Sequence, residues 1–236
     1  MKLLIVANTS GGVGKTTLAL ACAVAATEYG KKVLLIDADP RAALTFACGI
    51  ENPRVTTKEF LNSEFSLEAS MVRTSERFSL LPASSRLSSI ELENLMKAEK
   101  LRENLGDFDL VIVDTPSAYS GLTNYFSANA DLVVIPSTLE ILSIRGAVHA
   151  RDFAIQAGHQ SLPVLLLNKS IENPNADILS QLKTDFELLE PPIRFENFVS
   201  ESQAVGKSFL TTANQSAVAA DIREITYSIL EKVELI

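Results

Sequence analysis

The stretch Thr9-Ser10-Gly11-Gly12-Val13-Gly14-Lys15-Thr16-Thr17 carries three glycines, and a lysine followed by two threonines. Glycine lets a backbone wrap closely enough for successive N–H groups to face one anion, and a helix N-terminus adds its own donors. Lys15 has the reach and charge for the β- and γ-phosphates of a nucleotide, and the Thr16 hydroxyl suits Mg²⁺. Gly11, Gly12, Val13, Gly14 and Thr17 complete the cradle. The strict phosphate-loop pattern asks for glycine where this chain has Thr9. Two carboxylate pieces follow. Asp37 and Asp39 flank one residue in Leu34-Leu35-Ile36-Asp37-Ala38-Asp39-Pro40, so in extended geometry both project to one side. Beside a bound nucleotide they would orient a water and the hydration shell of a metal. Asp114, in Val111-Ile112-Val113-Asp114-Thr115-Pro116, fits an outer-shell magnesium ligand. Either piece alone reads equally well as a solvated aspartate turn closed by proline. In this order behind the glycine loop they point to nucleotide chemistry.

These residues need strands that deliver them to one edge. Short apolar runs without polar alternation occur at Leu3–Ala7, Val33–Ile36, Phe78–Leu81, Leu110–Val113, Leu132–Ile135 and Val164–Leu167. Such runs suit strands covered on both faces, and the segments between them are long enough for helical crossovers. The expected fold is α/β, with a mostly parallel twisted sheet between two helical layers, as in P-loop NTPases. Asn8, Asp37, Asp114 and Asn168 stand at the C-terminal ends of their runs, the edge where open α/β sheets bind ligands. The serine-rich piece Ser84–Ser89 reads as a loop entering a helix at Ile90. Pro191-Pro192 reads as a turn before a last strand-like piece, Ile193–Phe195. Val218, Ile222, Ile225 and Ile229 give a final helix over Ala217–Val233. Residues 1–236 are expected to form one domain without a linker.

A chain of 236 residues with 47% hydrophobic content buries a sizeable core, and its 6% aromatic content makes that core aliphatic. The formal charge of −8 argues against a uniformly basic nucleic-acid binder but leaves a local patch open. Cys22 and Cys48 lack metal-ligand spacing and read as reduced thiols of a cytoplasmic protein. The apolar start is too short for a signal peptide and runs straight into the glycine loop. His149 and His159 read as surface helix residues.

In these pieces the chain resembles the ParA/MinD family of positioning and partitioning ATPases. The shared segments are S-G-G-V-G-K-T-T, L-L-I-D-A-D-P, S-L-L-P-A-S, L-V-I-V-D-T-P-S, A-D-L-V-V-I-P-S and L-L-L-N-K. The resemblance implies ATP and Mg²⁺ as cofactors. It implies that Asp39 organises the hydrolytic water, that Asp37 and Asp114 support it and the metal, and that Asn168 contacts adenine. Lys15, Asp39 and Asp37 are then the catalytic set, and Thr16, Asp114 and Asp37 the metal set. Family members dimerise around two sandwiched ATPs and hydrolyse them slowly. Adaptor proteins stimulate that hydrolysis and so move a cargo.

Two departures bear on those expectations. The family's signature lysine, which reaches the partner's phosphates, is Ser10 here. Three readings stand: Arg145 or Arg151 substitutes for it, as a basic residue does in carboxysome-positioning members that carry serine; the protein is a switch with negligible turnover, an adaptor in a localisation, conjugation or pilus system; or nucleotide does not drive dimerisation. Secondly, Ile193-Arg194-Phe195-Glu196-Asn197-Phe198-Val199 has phenylalanines where many members carry DNA-holding arginines. Arg194, Lys207, Arg223 and Lys232 remain, few and scattered for phosphate-driven binding, so non-specific DNA stays an open partner. The net acidic end Leu230–Ile236 argues against membrane attachment. A ligase-type synthetase on the same scaffold is disfavoured, because no acceptor-substrate constellation is visible.

Overall fold

Aliphatic runs shielded on both sides form the strands of one eight-stranded sheet, in a computed structural model that describes residues 1–170 and 176–236. In chain order the elements are β1 (Lys2–Val6), α1 (Lys15–Glu28), β2 (Val33–Asp37), α2 (Ala43–Ala47), α3 (Thr57–Leu61), α4 (Leu67–Ser70), β3 (Val72–Arg73) and β4 (Ser79–Leu81). Then come α5 (Ala98–Asn104), β5 (Leu110–Asp114), α6 (Gly121–Asn129), β6 (Leu132–Ser137), α7 (Ile141–Gln156) and β7 (Val164–Leu167). The last are α8 (Ala176–Asp185), β8 (Glu187–Leu189), α9 (Phe198–Ala204), α10 (Phe209–Thr212) and α11 (Ala217–Lys232).

The strand order is β3-β4-β2-β5-β1-β6-β7-β8, parallel throughout except for the β3–β4 pair at one edge. Side chains alternate between two cores. Leu4, Val6, Leu35 and Ile112 face α1, α10 and α11, whereas Leu3, Ile5, Ile36 and Val113 face α6, α7 and α8. This is the expected three-layer α/β fold. Leu18 to Ala26 of α1 are all buried, because small residues let α1 fit between the sheet and α11.

β1 lies between β5 and β6, and the chain passes from one side of it to the other after β5. A crevice opens at such a reversal beyond the C-terminal strand ends. The parallel register sets Val6 beside Asp114, and Asp37 beside Asp114. The three chemistry-bearing segments therefore leave the sheet side by side.

All six apolar runs are strands, but several local expectations differ. Ile193–Phe195 makes only an isolated bridge, Ser170 to Arg194. The short strands β3 and β8 carry too few residues to show a pattern. No helix begins at Ile90: Ser85–Ser89 and Leu92–Asn94 are 3₁₀ turns. There Ser88 and Ser89 donate their hydroxyls to the Ser85 and Arg86 carbonyls at 2.7 and 2.9 Å, a local alternative to helical bonding.

Candidate nucleotide site

The loop between β1 and α1 is shaped by glycine where it must be. Gly12 and Gly14 have φ of +75° and +93°, and a Cβ on Gly14 would stand 2.2 Å from Asn168 Nδ2. Helix α1 starts immediately after, at Lys15, so its free N–H groups face the loop's concavity. Lys15 is buried, and its ammonium donates to the Ser10 carbonyl at 2.9 Å and to Ser117 Oγ at 3.0 Å. Burial lowers its pKa to about 8, with the Asp114 carboxylate opposing that shift. A desolvated cation held by neutral dipoles is primed for an anion.

The three carboxylates occupy different environments. Asp114 is fully buried at the end of β5; its Oδ2 accepts the Thr16 hydroxyl at 2.7 Å, and its Oδ1 has no partner among the described residues. Burial, and then the neighbouring Asp37, push its pKa up to about 8. Asp37 turns back into the fold and accepts the Thr45 N–H and hydroxyl at 2.9 and 2.7 Å, and the Asp39 N–H at 3.0 Å. Burial raises it to about 6, despite those donors. Asp39 lies past the end of β2, and the two carboxylates take different partners. Arg41 holds Asp39 through both oxygens, with Nε at 3.0 Å and a terminal nitrogen at 2.6 Å from Oδ2, while its N–H reaches Oδ1 at 2.9 Å.

A cavity of about 410 Å³ opens from the loop, within the usual range of small-molecule sites, about 300–1,000 Å³. Gly11 to Thr17, apart from Val13, line its phosphate end together with Arg41 and Ser117. Arg194, Phe195, Glu196 and Val199 also line it, and Gln203 reaches the loop side, donating to Thr17 Oγ1 at 2.9 Å. Asn168 also lines the cavity, against the loop, and its amide donates to the Val13 carbonyl at 2.8 Å. Neither Arg41 nor Ser117 nor Gln203 was singled out by sequence. Ser117 lies in the D-T-P-S segment, but Arg41 and Gln203 have no local signal.

Residues 1–158 match the family model described as an AAA domain, two thirds of the chain. The chain belongs to the ParA/MinD family of P-loop ATPases. It is 36% identical to the chromosome-partitioning ATPase Soj of Thermus thermophilus, over 62% of this chain and 58% of Soj. It is 31% identical to maintenance of carboxysome distribution protein A of Synechococcus elongatus, over 64% of this chain and 63% of that protein. Both matches span less than two thirds of the curated relative. Among solved structures, cobyrinic acid a,c-diamide synthase of Mycobacterium smegmatis, with bound ATP analogue and magnesium, superposes with a TM-score of 0.81. That likeness covers 99% of this chain and 96% of that one at 29% identity.

Against the ParA/MinD pattern, Ser10 is held in place by Asn8: its N–H donates to Asn8 Oδ1 at 2.7 Å, and the Asn8 amide donates to the Pro136 carbonyl at 2.8 Å. Helix α7 packs on this corner through Gly146, where a Cβ would come within 2.8 Å of the Ser10 nitrogen. Arg145, the preceding residue, is exposed and makes no hydrogen bond or ion pair among the described residues. Arg151 is committed elsewhere, to Asp152 at 2.8 Å, to Asp185 at 3.2 Å and over the Phe186 ring. Of the cations left for DNA, Arg194 pairs with Asp221, Arg223 with Glu28 and Lys232 with Glu187. His149 is an exposed helix residue, but His159 is buried beyond the end of α7, where burial lowers its pKa. No helix among the described residues is long and apolar enough to cross a membrane.

Proposed function

We propose that the protein is an ATP-dependent positioning or partitioning ATPase, with residues 1–236 as one P-loop domain. The observation that carries this reading is that the buried Lys15 ammonium, at the start of α1, and the buried Asp114 carboxylate, at the end of β5, come together beside Thr16, with Asp114 Oδ1 lacking a hydrogen-bond partner among the described residues. A buried carboxylate oxygen without a donor is costly alone and fits a hard cation with oxygen ligands. Thr16 and Asp114 would hold Mg²⁺, with Asp37 behind Asp114. When bound, the metal neutralises phosphate charge.

The chain's own residues supply the rest. Loop N–H groups and Lys15 bind the β- and γ-phosphates, and Asn168 lies against that loop. Asp39, once off Arg41, accepts a hydrogen bond from the water that attacks the γ-phosphorus, giving ADP and inorganic phosphate. Arg145 takes the place of the lysine missing at Ser10 and reaches the phosphates of a second copy. ATP would thus favour a homodimer that engages an adaptor or cargo in the cytoplasm, and slow, partner-stimulated hydrolysis would release it. The names of Soj and the carboxysome protein support a large cargo of this kind. Non-specific DNA has little to recommend it, since three of its four candidate cations are paired.

A second reading, a nucleotide-gated adaptor with negligible turnover, is favoured by Ser10 and by the capture of Asp39. Phosphate release with and without the adaptor separates the two. The primary test is ATP binding. Lys15→Ala should abolish it, whereas Asp39→Ala should retain it and trap an ATP-bound dimer. Loss of ATP binding in Asp39→Ala would contradict the assigned role.

A further inference from the structure

For a phosphate loop to turn its N–H groups inward, its carbonyls must turn outward and find donors there. In this chain the donors come from the end of β7. Asn168 Nδ2 donates to the Val13 carbonyl at 2.8 Å and Lys169 Nζ to the Gly12 carbonyl at 2.8 Å. The Asn168 amide is fixed in turn, because its Oδ1 accepts the Lys169 N–H at 2.9 Å. Lys169 has a φ of +53°, a left-handed conformation that a residue with a side chain adopts at a cost. Asn168 also fits tightly, occupying the space that a Cβ on Gly14 would need. The next residue continues the connection: the Ser170 N–H donates to the carbonyl of Ile193, which also lines the cavity, at 2.9 Å.

We propose that Asn168 and Lys169 are positioning residues for the phosphate loop. They form a two-pronged clip that holds the Val13 and Gly12 carbonyls outward and so fixes the cage for the phosphates. The Asn168 amide gives one hydrogen to the loop and one lone pair to Lys169, so its hold on the loop is separable from any contact with the base by a probe that has no base. The inference rests on the reading of this loop as an ATP site.

The test uses the full chain with Mg²⁺ and two probes, ATP and inorganic triphosphate, the second measured by competition against a fluorescent ATP analogue. Asn168→Ala removes a donor from a part-buried carbonyl and should weaken both probes, the base-free one included, by about ten-fold. Lys169→Met, at a more exposed bond, should weaken both by about three-fold, and Lys169→Arg should restore most of that. An unequal loss, with ATP weakened and triphosphate unchanged, would make the pair a reader of the base and overturn the proposal. Unchanged binding of both probes would overturn it too. If Asn168→Ala does not fold, the Met and Arg variants of Lys169 still decide. Failure of the wild type to bind ATP would instead bring down the nucleotide-site reading itself, and this one with it.

Discussion

A carboxylate that orders an attacking water must turn a lone pair toward it, and Asp39 has both oxygens on Arg41. The Arg41 side chain is 67% exposed while that of Asp39 is 4% exposed, so the arginine is the mobile partner of the pair. A charge-assisted, two-point contact of this kind occupies the side of the carboxylate that water would approach. Arg41→Ala should therefore raise basal ATP turnover, by about three- to ten-fold if the contact is worth what exposed-to-buried pairs usually are. Phosphate release at saturating ATP measures it. A fall in turnover would assign Arg41 to the phosphates, since it also lines the cavity's phosphate end. The sequence shows the glycine loop and all three aspartates because their chemistry depends on residue type at fixed spacing. Arg41 is not legible there: a cation after Asp-x-Asp-Pro reads as solvated, and only the turn at the end of β2 swings it back.

The parallel pairing of β2 and β5 sets Asp37 and Asp114 side by side at one strand edge, under helices that exclude water. Burial raises both groups, Asp37 to about 6 and Asp114 to about 8, with repulsion from Asp39 adding to the first and from Asp37 to the second. The sign follows from proton counting. Below the ordinary carboxylate pKa both states are protonated and nothing is lost. As pH rises to about 8 the unfolded chain ionises while the folded one keeps its proton on Asp114, so metal-free protein loses stability over that window. Asp114→Asn should remove most of that slope and stabilise the metal-free protein at pH 8 by about 1–3 kcal/mol, while abolishing magnesium-dependent nucleotide binding. Thermal melts with chelator at pH 5 and pH 8 check it. A wild type that gains stability between those values would refute the buried-pair account. The elements behind this edge were legible because each inner strand is a continuous aliphatic run. The edge strands were not, since β3 has two residues and β8 three. The Ser84–Ser89 segment misled because serines there satisfy their own backbone.

At the scale of the whole molecule, two copies that each carry −8 repel, and bound ATP adds further negative charge on the facing edge. A dimer across that edge therefore needs a cation able to cross, and an apolar contact to seal it. The first turn of α7 offers both: Ile141 and Leu142 are 75% and 68% exposed, and Arg145 follows one turn later beside the Ser10 corner. In an Asp39→Ala background with ATP, light scattering should show a dimer that Arg145→Ala weakens by about ten-fold or more. Arg151→Ala should leave the dimer intact but lower the melting temperature, because that residue ties α7 to Asp185 and covers Phe186. Added salt should affect the two forms at position 145 differently. It screens the general repulsion in both, but only the arginine form has a specific attraction to lose. Raising the salt should then narrow the gap between the protein that keeps Arg145 and its alanine variant. A gap of the same size at low and high salt would make the contribution of Arg145 one of packing, and the missing charge at Ser10 would have to be supplied from another element.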